Sequence, residues 1–168
     1  MSKVSAIVFI NSWFVPFDWF LIEFASAQRQ AEGMGVTAFI ASGTEFEVDR
    51  YLEKCPFKPS RVFRKGEIPP KDNPELSARP DSGFVVLLGQ DKAPGIASQT
   101  SEVLLVLQTY EAELEGLRGL GVDTMLIDLG VEGSDQLQQS EYIQPSLIVA
   151  LAHFRMGLII STIRFGRG

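Results

Sequence analysis

Four basic residues crowd into one short run of this 168-residue chain, Lys58, Arg61, Arg64 and Lys65, and Glu67 follows them closely. If Arg61 to Lys65 is extended, Arg61, Phe63 and Lys65 share one face while Val62 and Arg64 point the other way. Cations grouped in this way suit an anionic ligand or an acidic partner. The same grouping also keeps an edge strand soluble and unpaired, and charge runs are most often solvated surface. Lys58, Arg61, Arg64, Lys65 and Glu67 are therefore the candidate binding residues.

Other chemistry is sparse. His153 is the only histidine and Cys55 the only cysteine, so the His/Cys sets of structural zinc sites cannot be assembled within one chain. Glu111 and Glu115 fall at i and i+4 on one helix face, a spacing that could pair carboxylates for acid-base or metal work, although such a spacing is far more often a solvated acidic face. His153 lies beside the buried line of its helix, which gives it a structural or surface place. Gly116, Gly119 and Gly121 follow a helix instead of joining a strand to one, so they read as helix termination and not as a phosphate loop. No G-x-S-x-G, EF-hand or Walker pattern is present. The expectation is a protein with no catalytic residue, metal ligand or cofactor to assign.

The net charge of −6 is unevenly placed. Met1 to Glu67 balances eight Lys/Arg against eight Asp/Glu, while Ile68 to Gly168 carries seven against thirteen. An acidic second part sets nucleic acid aside as a partner, since such binders carry a basic face or stripe. A chain of this length, 45% apolar and 21% charged, is long enough for one domain with a sizeable core. A lone cysteine excludes an intramolecular disulfide and fits a cytoplasmic setting.

The elements that must position these residues begin at Val36. Residues 1–35 stand apart as an extension holding seven aromatics, Phe9, Trp13, Phe14, Phe17, Trp19, Phe20 and Phe24. Three readings compete there: a secretory signal, weakened by Asp18 and Glu23; a strand over Val4 to Ile10 with a helix over Pro16 to Ala31; and a natural start at Met34. A membrane span fails because the uncharged run stops at Asp18, although residues 1–33 could still lie on a membrane surface.

From Val36 the pattern predicts a strand to Ser42, then a helix opened by a Thr44/Glu47 capping box, with Val48, Tyr51, Leu52 and Cys55 along its apolar face. Pro56 and Pro59 precede the basic strand, and Ile68 to Ser82, with four prolines, is a long surface loop. A buried strand over Phe84 to Leu88 leads to one long helix, Ser101 to Arg118, carrying Val103, Leu107, Tyr110, Leu114 and Leu117. Val122 to Val131 is a strand, Pro145 opens a helix with Leu147, Leu151 and Phe154, Gly157 closes it, and Leu158 to Phe165 is the last strand. The order β-α-β-β-α-β is that of a ferredoxin-like split βαβ core, extended by a C-terminal α-β pair. The predicted class is α+β, one domain over residues 36–168, with a mixed sheet, helices mainly on one face and the other face left for the extension, a partner or water.

At Ser42-Gly43-x-x-Phe46-x-Val48-Asp49-x-Tyr51-Leu52, Pro59-x-x-Val62 and Arg64-Lys65-Gly66-Glu67 the chain resembles a family of small bacterial proteins of unknown function. The resemblance spans Val36 to Phe165 and omits the aromatic extension. It implies an α+β fold, a bacterial cytoplasmic origin and a role as a binding or immunity-type protein, with no enzyme activity. Function is thus expected to be the binding of a partner protein, with a small enzyme or anion-ligand sensor built on residues 58–67 as one alternative. Peripheral membrane attachment through residues 1–33 is another.

Overall fold

The computed structural model describes residues 5–9, 36–68, 77–88, 95–132 and 142–163. They form an α+β fold with one mixed sheet. In chain order its elements are β1 (Ser5–Phe9), β2 (Thr37–Gly43), α1 (Val48–Leu52), β3 (Arg61–Phe63), β4 (Ser82–Leu88), α2 (Ile96–Thr109), α3 (Glu111–Gly119), β5 (Thr124–Glu132), α4 (Pro145–His153) and β6 (Gly157–Ile163). The helix expected over Pro16 to Ala31 lies outside the described residues. The short strand expected near Val4 to Ile10 is present as β1.

The sheet order is β1-β6-β5-β2-β4-β3. Strand β2 takes the centre because TAFIASG is small or apolar throughout and buried along its whole length. It pairs antiparallel with β4 on one side and β5 on the other. β3 and β4, the strands flanking the proline loop, also pair antiparallel, as a chain that turns back must. β5 and β6 are parallel, which requires the crossover that α4 provides.

Strict alternation sorts the side chains. Phe39, Ala41, Phe84, Val86, Met125, Ile127 and Leu129 face the helices, where Tyr51, Val103, Leu107, Leu114, Leu117, Leu147 and Leu151 close the main core. Ala38, Ile40, Val85 and Ile159 point to the opposite face with Phe63 and form a second, smaller cluster. All four described helices thus contribute to one face. The other face, expected to be left for the extension, a partner or water, holds Ile40, Val85 and Ile159 buried.

Three local expectations need correction. The Thr44/Glu47 capping box does not form: Glu47 donates its backbone N–H to the Leu120 carbonyl at 3.4 Å, and its carboxylate pairs with Arg50 at 3.0 Å. The single helix over 101–118 is two, starting five residues early at Ile96 and broken at Tyr110 (φ −113°, ψ 29°). Two features coincide with that break. The Thr109 hydroxyl donates to the Leu105 carbonyl at 2.7 Å, a side-chain bond that bends helices, and the Tyr110 ring seats against Phe57, centroids 4.6 Å apart. Finally, α4 is closed by Arg155 in the left-handed region (φ 53°), and Gly157 already belongs to β6.

Candidate functional site

The basic run occupies the sheet edge. β3 is the terminal strand on its side, with Arg61, Val62 and Phe63 opposite Val85, Phe84 and Gly83. Only Phe63 is buried, and the buried Arg79 guanidinium lies over its ring, 3.4 Å from the centroid. Asp81 holds that guanidinium at 3.1 Å. Beyond Phe63 the chain leaves strand geometry and turns at Gly66, whose φ of 84° suits glycine. The turn is fastened by its own backbone: Arg64 donates its N–H to Glu67 Oε2 at 3.2 Å, Lys65 donates to Ser82 Oγ at 3.0 Å, and Arg79 N–H reaches the Glu67 carbonyl at 3.0 Å.

Each candidate can now be placed. Lys58 is exposed on the connection ahead of β3. Arg61 faces Glu67 at 3.7 Å. Arg64 grips Asp49 of α1 with two nitrogens, at 2.6 and 3.1 Å. Lys65 Nζ donates to Glu45 Oε1 at 3.2 Å and to the Thr44 carbonyl at 3.1 Å. The hydrogen bond from Arg64 holds the Asp49 carboxyl below its usual range, and the same contact raises Arg64. The cations are thus turned toward three separate carboxylates. Chemically this ties the edge of the sheet to the β2–α1 turn and to α1, with the charges of Arg61, Arg64 and Lys65 matched locally.

A different set converges on the helical layer. Glu111 opens α3, Glu115 follows one turn later, and His153 ends α4. His153 Nε2 lies 3.6 Å from Glu111 Oε1 and 3.7 Å from Glu115 Oε1, all three side chains being more than half exposed. The imidazole stands edge-on to Phe154, centroids 4.8 Å apart. Sequence spacing exposes the carboxylate pair and the single histidine separately; only the packing of α4 beside α3 joins them.

Two polar sites escaped sequence reasoning. Asp128 is fully buried on β5, its Oδ2 accepting from Ser161 Oγ of β6 at 3.0 Å while Oδ1 has no hydrogen-bond partner among the described residues. Burial pushes its carboxyl up to about 8, against the opposing pull of Ser161. Gln99, also buried, accepts from Thr37 Oγ1 at 3.0 Å and donates to the Gly130 carbonyl at 2.8 Å, fastening α2 to β2 and β5. The signal for Gln99 was its place four residues before Val103 on the buried line. For Asp128 it was a lone carboxylate inside an apolar strand.

No family model, curated protein or solved structure matches the chain. Among the described residues, no helix is long and apolar enough to cross a membrane.

Proposed function

We propose that the protein works without catalysis, by binding a partner protein on the outer surface of its helical layer, as a cytoplasmic protein of the immunity type. The observation that carries this reading is a set of apolar side chains turned outward: Leu105 on α2 is 64% exposed, Val149 on α4 69% and Ile148 49%. These two helices pack side by side on the sheet. Leu105 stands opposite the Val103 and Leu107 stripe, so the fold itself gains nothing from its being apolar. Acidic Glu111, Glu113 and Glu115 are exposed on α3, the next helix along the chain, and give the helical layer a charge that selects a basic partner.

In the order β5-β2-β4-β3, β4 is inserted between the two strands of β2-α1-β3, and β2 between the ends of the unit running from β4 through α2 and α3 to β5. That interleaving supports a ferredoxin-like split βαβ core extended by α4 and β6, and with it the resemblance to small bacterial proteins of unknown function.

The test is affinity capture from the native host with the full chain and with a Leu105→Asp/Val149→Asp double variant. The wild type is expected to recover one partner at stoichiometric yield and the variant to lose it, while its own stability changes little, as for most exposed substitutions. No stoichiometric partner, or equal capture by the variant, overturns the reading.

A further inference from the structure

We propose that Glu111, Glu115 and His153 form a divalent-cation site of zinc type that clamps the start of α3 to the end of α4. Three side chains of metal-ligating kind meet here from two helices, with one ligand atom of each lying within 4.8 Å of the others. Zinc binds imidazole nitrogen and carboxylate oxygen at about 2.0–2.2 Å, so two ligands of a tetrahedral ion stand roughly 3.3–3.5 Å apart. The two distances from His153 Nε2, 3.6 and 3.7 Å, are already close to such edges. The two glutamate oxygens lie within 4.8 Å of each other, and the third edge closes when these exposed side chains turn inward around the ion.

Charge and position favour occupancy. Two carboxylates one turn apart repel each other, and a dication relieves that repulsion while a neutral imidazole adds none. The ring is braced by its edge contact with Phe154, which reduces the rotamer freedom lost on binding. Imidazole in the set selects zinc-like ions over magnesium or calcium, which prefer oxygen ligands alone. Because all three residues are exposed, the remaining coordination positions open to solvent. The site therefore binds reversibly, and an added ligand from a partner can complete it.

The full chain is titrated with Zn²⁺ by calorimetry, beside His153→Ala, Glu111→Gln/Glu115→Gln and Cys55→Ser. Since His153 is the only histidine, any imidazole-dependent uptake reports this one residue. The wild type and the Cys55 variant are expected to take up one equivalent, with the thermal midpoint rising as Zn²⁺ is added. The other two variants are expected to bind at least about tenfold more weakly, since even losing a group that only orients a metal ligand costs about that much. Visible absorption with Co²⁺ gives a second readout, its ligand-field bands appearing in the wild type and vanishing in His153→Ala. Absence of saturable uptake, unchanged affinity in the His153 variant, loss of binding in the Cys55 variant, or equally tight binding of Mg²⁺ overturns the assignment.

Discussion

One buried carboxylate should leave a mark on how this protein responds to pH. Asp128 is buried in the sheet with one oxygen unpartnered among the described residues, and its carboxyl is raised to about 8 in the folded chain. In the unfolded chain it titrates near 3.9. Below that value both states are protonated and the contribution of Asp128 to stability is at its full level. Between roughly pH 4 and pH 8 the native state keeps a proton that the unfolded state has released, so stability falls as pH rises, at about 1.4 kcal/mol per pH unit for one proton. Above about 8 the loss levels off. Chemical denaturation across this range should show that slope, and Asp128→Asn, which cannot ionise, should flatten it and exceed the parent in stability at alkaline pH. An unchanged slope in the variant would mean that Asp128 is not the titrating group. Alternation along β5 placed Asp128 with Leu126 on the face away from the helices, but strand periodicity does not say whether that face is wet or dry.

The elements show where local pattern and tertiary packing part company. Thr44 and Glu47 have the spacing of a capping box, yet the turn is set by backbone crowding: a Cβ on Gly121 would strike the Glu45 carbonyl, and one on Gly43 the Gly121 carbonyl. Gly121 also carries a φ of 92°. Gly121→Ala is therefore expected to destabilise by at least about 2 kcal/mol, left-handed strain and collision together. Gly116→Ala, in open space within α3, should stabilise by up to about 1 kcal/mol. Thr44→Ala should be nearly neutral, where a true cap would cost about 1 kcal/mol. Parallel thermal melts of the three variants check this order. The basic strand was legible as an edge strand and lies at the sheet edge; the partners of its cations, Asp49 and Glu45, were not, because they come from α1 and the turn before it, which only the fold brings near. Replacing Arg61, Arg64 and Lys65 together by threonine should leave the monomer folded but make it associate through β3. Light scattering across a concentration series would detect this, and a variant that stays monomeric at high concentration would remove the edge-protection role.

At the scale of the whole molecule, apolar periodicity was enough to find the four strands after Val36 that build the centre of the sheet, because each reads as a short apolar run bounded by glycine, proline or polar loops. Periodicity also found the buried stripe through Val103, Leu107, Leu114 and Leu117. It could not find the break at Tyr110, since neither glycine nor proline marks it and one of the two features that coincide with it is a contact with Phe57, far away in sequence. Nor could it say that the chain before Met34 joins the same sheet, because five residues of a short strand carry no pairing partner in their pattern. The structure pairs β1 with β6, Ser5 opposite Thr162 through Phe9 opposite Leu158. That pairing makes β1 the outer strand and leaves β6 covered on both sides. A chain begun at Met34 would bare the β6 edge, whose backbone donors and acceptors then turn to water or to another chain. Amide exchange over β6 should accelerate by at least about tenfold, equivalent to about 1.4 kcal/mol of lost local stability, while amides of β2 at the sheet centre should change far less. Equal protection of β6 in the two chains would mean that β1 contributes nothing to the sheet and that the domain is complete from Val36 onward.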